Sequence, residues 1–246
     1  MWSLETLQRW YDPADPVHGV EHILRVVALA EKIAAGEGAQ MEIVRAAAYL
    51  HDAVDRERAT VVSRKDHHLA AAELAAQVLK QAGWSEAQIA AVQHCIRSHR
   101  FRHPEEAPQT LEAKVVFDAD KLDAIGAIGV ARAIARAIQK GMPVYTPPSS
   151  LFLEKGVLEK DEKHSAYHEY WFKLRHLKDR LFTPTARQLA VERQAVMINF
   201  FEALQREAQL FIDSRLPLEE RRETHENPQE RMDGDAGSNL ARLASL

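Results

Sequence analysis

Cysteine is nearly missing from this chain: its 246 residues include one, Cys95. No internal disulfide can form, so the fold does not depend on an oxidising compartment. A lone thiol on a helix reads as a small buried hydrophobe rather than a nucleophile. Long apolar runs are also lacking, and no stretch approaches the roughly 20 residues that a membrane span needs. The opening segment MWSLETLQRWYD has no apolar core of the secretory type, so a cytoplasmic protein is expected. A basic excess is missing too. The formal net charge of -4 gives no electrostatic case for a nucleic-acid polymer as partner, although a local basic patch can hold a small anion. There is no Gly-rich phosphate loop, no internal repeat, and no period-2 alternation that would announce strands.

What is present is ordinary globular material, 46% hydrophobic and 28% charged, long enough for one large domain or two small ones. Apolar residues recur at helical spacing almost everywhere, which predicts an all-α protein. Asp15-Pro16 reads as an N-cap followed by proline at the first helical position. The helix it opens carries Ile23, Val26, Val27, Ala30, Ile33 and Ala34 on one stripe and stops at Gly36 or Gly38. A second helix runs from about Met41 to His51-Asp52, and a third from near Asp66 to Gly83. The fourth opens on a capping box at Ser85–Gln88 and continues to about His99. After a polar loop, Thr110 caps a fifth helix through Asp123, and Ala127–Lys140 forms a sixth.

From Gly141 to Lys163 the pattern lapses into a long connection of the kind that often forms a lid or binding loop. Helices are expected again over Ser165–Leu181 and Thr185–Asp213. The expected organisation is one compact multi-helix bundle over 1–214, with a metal-binding core at about 15–140, C-terminal helices at 164–213, and a disordered tail over 215–246. An apolar helix pair can also support a homodimer.

Three separated pieces offer metal-ligand side chains: His18 and His22 in VHGVEHILRV, His51-Asp52 in AYLHDAVDRE, and Asp118, Asp120 and Asp123 in VVFDADKLDA. Imidazole with carboxylate suits Mn, Fe, Co, Zn or Mg, and no thiolate biases the set towards zinc or copper. Neighbours on a helix point about 100° apart, so His51 and Asp52 can share an ion only where it sits between them, as at a helix end. An aspartate beside an Ala/Leu-rich helix is costly unless paired or coordinated. Asp118 and Asp123 read as support for the ligands. Arg25 lies one turn from His22, where its guanidinium can grip phosphate. His18 lies one turn earlier and can contact substrate. Lys121 and Lys173 are further phosphate candidates.

Taken in order, His22, His51-Asp52 and the string DADKLDAIGAIG resemble the HD superfamily of metal-dependent phosphohydrolases, whose signature is His, His-Asp, Asp. His99 and Phe101, the LEAK segment before DADKLDAIGAIGVAR, and the later WFKL and LAVERQAVMINFF helices resemble a bacterial branch containing nucleotide pyrophosphohydrolases. The resemblance covers roughly residues 10–210. It implies an HD-domain bundle holding one divalent ion, manganese favoured, through His22, His51, Asp52 and Asp120. Asp55 falls at the acidic position of a His-Asp-x-x-acid pattern and, with Asp52, is implied in catalysis. Some relatives add two histidines for a second ion. His68 and His99 have suitable order, but the branch does not usually carry a histidine near position 68, so one ion is expected, with His99 in the substrate pocket and His94 structural.

The implied activity is hydrolysis of a small phosphorylated substrate, a nucleoside triphosphate, to monophosphate and pyrophosphate. Metal-activated water needs no phosphoenzyme. The alternatives are a phosphomonoesterase or phosphodiesterase acting on nucleotides, or a non-catalytic nucleotide-binding helical module.

Overall fold

A computed structural model describes residues 2–53, 67–100 and 106–213. Asp55, Phe101 and the 215–246 tail fall outside the described residues. The chain divides into two compact units, 1–200 and 201–246, and the metal-ligand candidates belong to the first.

Among the described residues there is no strand, and ten α-helices follow in order. They are α1 (Leu4–Trp10), α2 (Val20–Glu37), α3 (Met41–Leu50), α4 (His67–Gln81), α5 (Glu86–Ser98), α6 (Leu111–Asp123), α7 (Gly126–Gln139), α8 (Ser150–Lys155), α9 (Ala166–Phe172) and α10 (Pro184–Asp213). A 3-10 segment, Leu174–Arg180, links α9 to α10. Helix α2 packs on α3 and α6, α5 packs on α3, α4 and α6, and α7 packs on α6 and α9. The predicted α2 stripe is the one that is buried. Ile23, Val26, Val27 and Ile33 are almost wholly enclosed, and each contributes roughly 1.5–3 kcal/mol by leaving water.

The capping box at Ser85 and Gln88 forms as expected, and Thr110 caps α6 by accepting from the Ala113 amide. The start of α2 differs. Asp15 does not cap the helix. Its Oδ1 accepts from the amides of Val17 and His18, making a separate turn, and α2 begins at Val20 after Gly19. Gly19 lies against the carbonyls of Asp15 and Asp12, where any side chain would collide. An aspartate hydrogen-bonded to the amide two residues on imitates an N-cap in sequence.

Three further features were not expected. Helix α1 forms ahead of the turn, α8 forms inside the long connection, and the helix expected over Ser165–Leu181 breaks at Lys173 (φ -127, ψ -58) into α9 and the 3-10 segment.

Two glycines build the corner between α6 and α7. Gly126 adopts φ 79, a left-handed conformation that glycine tolerates. Gly129 presses on the Ala124 carbonyl so closely that a Cβ could not be accommodated. The glycines of DAIGAIG thereby turn α7 back against the end of α6.

Candidate metal centre

Helix ends bring the candidate ligands together. His22 lies in the first turn of α2, His51 caps the C-terminus of α3 with Asp52 directly after it, and Asp120 comes from the last turns of α6. Nε2 of His22 lies 3.5 Å from Oδ1 of Asp120, and Nε2 of His51 lies 4.0 Å from the same oxygen and 3.8 Å from Oδ2 of Asp52. One ligand atom from each of His22, His51 and Asp52 fits within a 4.8 Å group. Donors about 2.0–2.2 Å from a shared ion stand at about these separations from one another.

The histidines are oriented from behind. Nδ1 of His51 donates to the Ala48 carbonyl at 2.9 Å, and Nδ1 of His22 donates to Oδ2 of Asp123 at 2.7 Å. Each bond fixes the tautomer that leaves Nε2 a lone pair directed into the site.

Two atoms are left over. Nε2 of His51 and Oδ1 of Asp52 are buried without a hydrogen-bond partner among the described residues. Nε2 of His67 comes within 3.0 Å of that Asp52 oxygen and Nε2 of His99 within 3.4 Å, so the two imidazoles crowd the same carboxylate. A buried polar atom left unpaired costs about 1–3 kcal/mol, so two in one cluster fit a cation that both can ligate.

Burial raises the carboxyl of Asp52, yet His51, His67 and His99 outweigh it and hold it well below the usual range. Asp120 behaves likewise: burial opposes ionisation, while Lys121, His51 and His22 drive it far down. Burial lowers His22 to about 4 against the pull of Asp123, and burial also lowers His99. Ionised Asp52 and Asp120 beside imidazoles whose protonation burial disfavours, His22 and His99, are in the states that a metal requires.

The remaining candidates take distinct places. His99, the C-cap of α5, donates from Nδ1 to the Ile96 carbonyl at 2.6 Å and turns Nε2 towards Asp52. Lys121 is buried, with its ammonium on Asp120 and on the His99 carbonyl at 2.8 Å. Arg25 grips Asp123 through Nε at 2.7 Å and Nη2 at 3.1 Å. The cations of Lys121 and Arg25 thus support site carboxylates. His18 packs edge-on to His22 with ring centroids 6.2 Å apart, and Lys173 pairs with Glu169 at the end of α9. Asp123 supports the centre as expected. Asp118 does not: it accepts from the amides of Phe182 and Thr183 and from the Thr183 hydroxyl, tying the start of α10 to α6.

His67 is an addition that the sequence did not announce. It opens α4 and forms with Asp52 and His99 a second group of three donors sharing the Asp52 carboxylate, while His68 contacts Arg100 instead. Neighbouring histidines at a helix start, with no register to say which one faces inward, are the only sequence signal for His67. Arg132, which also reaches Asp123, carries no such signal. His94 is structural as expected, held between Glu106 and the Gln109 amide.

An all-helical scaffold on which buried imidazoles and ionised carboxylates converge on one point defines a class of helical protein equipped to hold a divalent metal ion. The family known as the HD domain matches residues 19–125. The Bacillus subtilis protein YpgQ is 34% identical over 193 residues, 77% of this chain and 84% of that protein. Its crystal structure in complex with ADP superposes with a TM-score of 0.62 at 31% identity, covering 83% of this chain and 97% of that one. A Lactobacillus plantarum structure gives a TM-score of 0.66 at 29% identity, covering 84% of this chain and 94% of that one. A Bacillus thuringiensis structure described as an HD-superfamily hydrolase gives 0.56 at 29% identity, covering 77% of this chain and 85% of that one. The chain belongs to the HD-domain family.

Proposed function

We propose that the protein hydrolyses nucleoside triphosphates to monophosphate and pyrophosphate, with His22, His51, Asp52 and Asp120 holding a divalent cation, manganese favoured. The observation that carries the reading is the pair of unsatisfied buried atoms, His51 Nε2 and Asp52 Oδ1, inside a cluster drawn from three distant stretches of chain. A bound cation supplies Lewis acidity, which acidifies water and offsets charge on phosphoryl oxygens.

The residues of the chain do the rest. Asp52, ionised and flanked by His67 and His99, would accept a hydrogen bond from the attacking water, orient it and help draw off its proton. In this reading the imidazole of His99, beside Asp52, and His18, in the turn before α2, contact the substrate. Lys121 holds Asp120 in place through its ammonium. Asp55, three residues beyond Asp52 in the sequence, is the second candidate base, and Lys173 is a further candidate phosphate partner. ADP bound in YpgQ supports a nucleotide as the ligand class here. A small nucleotide rather than a nucleic-acid polymer also fits the chain's negative net charge.

The test is a manganese-supplemented screen of nucleoside mono-, di- and triphosphates, scored for pyrophosphate against orthophosphate. Pyrophosphate released only from triphosphates is the expected result, and orthophosphate release would replace the reading with a phosphomonoesterase.

A further inference from the structure

We propose that Arg132 is a positioning residue for the metal ligand His22, acting through Asp123; this rests on the metal-holding role of His22 and not on the identity of the substrate. Oδ2 of Asp123 receives three donors: His22 Nδ1 at 2.7 Å, Arg132 Nη1 at 3.0 Å and Arg25 Nη2 at 3.1 Å. The two arginines are not equivalent. Arg25 lies on α2, three residues from His22, and travels with it. Arg132 comes from α7, and the same guanidinium donates from Nε at 3.0 Å and from Nη2 at 2.7 Å to the carbonyl of Val17, in the turn that leads into α2.

Arg132 therefore fixes two things at once: the carboxylate oxygen that His22 leans on, and the backbone five residues before His22. A planar guanidinium with its donors in a rigid fork can join two acceptors in this way, and an ammonium cannot. The local sequence provides the geometry. Left-handed Gly126 and tightly packed Gly129 fold α7 back so that Arg132, nine positions after Asp123, reaches it again. Partners behind a metal-ligating histidine typically change metal affinity 10–100-fold when removed.

The test is manganese binding by the metal-free full chain, read as loss of the free-ion signal in electron paramagnetic resonance. Arg132→Met is expected to weaken binding about 10-fold. Arg132→Lys, which can reach Asp123 or Val17 but not both, should fall between. The deciding comparison is a cycle with His22→Ala. If Arg132 acts through His22, Arg132→Met adds little once the imidazole is gone. An equal loss in both backgrounds overturns the proposal, as does unchanged affinity in the single variant. Should Arg132→Met fail to fold, the cycle is read on Arg132→Lys. No manganese binding by the unsubstituted protein would defeat the metal-holding role itself. Binding without turnover of any nucleotide would defeat only the proposed activity.

Discussion

The hydroxyl of Tyr11 donates to the carbonyl of Tyr49 at 2.7 Å, joining the C-cap of α1 to the last turn of α3. The final carbonyls of a helix lack partners within it. Here Ala48 receives Nδ1 of His51, Tyr49 receives Tyr11, and Leu50 receives the Ala53 amide. All three bonds hold the turn that presents His51 and Asp52. Tyr11→Phe keeps the ring and leaves one buried carbonyl unsatisfied, so a loss of about 1–3 kcal/mol in unfolding free energy is expected. Urea denaturation measures it, and a midpoint equal to that of the parent protein would show that water replaces the hydroxyl.

Asp118 and Asp120 stand two residues apart on α6 and have opposite uses. Asp118 is fully buried and binds two amides and a hydroxyl at the start of α10. Asp118→Ala strands these donors, each worth about 1–3 kcal/mol when buried and unpaired, so its melting temperature should drop sharply while manganese affinity is kept. Asp120→Ala removes a proposed ligand together with a buried charge. Manganese binding and turnover should vanish, and because the buried Lys121 ammonium loses its carboxylate some stability should go as well, so metal affinity is what separates the two variants. Calorimetric melting and metal titration on both variants separate the roles, and a reversed pattern would remove Asp120 from the ligand set.

Much of this architecture can be read from residue order, and the exceptions share a cause. Helical stripes and the Ser85–Gln88 capping box depend on neighbours within a few positions, and they appear where expected. Asp15 misleads because an aspartate turn and an aspartate N-cap use the same side chain on nearby amides. Helices α1 and α8 are short, with seven and six residues, too few for periodicity to declare itself. At the centre, the order His, His-Asp, Asp identifies ligand types. Which histidine of the 67–68 pair faces Asp52 depends on how α4 is rotated against α3. Asp118 takes partners 64 and 65 positions away, a distance at which local pattern carries nothing.

Gly129 reports on the α6–α7 corner. A Cβ there would run into the Ala124 carbonyl and the methyl of Met197. The carbonyl cannot yield without opening the corner that returns Arg132 to Asp123. Gly129→Ala is therefore expected to destabilise by about 1–3 kcal/mol, the usual cost of overpacking, although alanine is the better helix former in isolation. Equilibrium unfolding decides, and a stabilised variant would show that the corner relaxes freely.

The long connection before α9 is fastened by one carboxylate, and its hold should depend on pH. Glu162 accepts from the Ser149 amide and hydroxyl, the Glu159 amide and Nε2 of His168. Burial works against its charge, but these donors outweigh burial and bring the carboxyl from 4.5 down to about 2. A folded value below the unfolded one means that the unfolded chain binds more protons between the two, so stability rises with pH across that window. The contribution is complete above about 4.5 and fades as pH falls through about 2. Glu162→Gln should accordingly melt several degrees below the parent at neutral pH, and the gap should close progressively as the buffer is acidified through that range. Melting curves recorded from pH 7 downwards provide the check. A gap that stays constant with pH would mean that Glu162 contributes through shape and not through its charge.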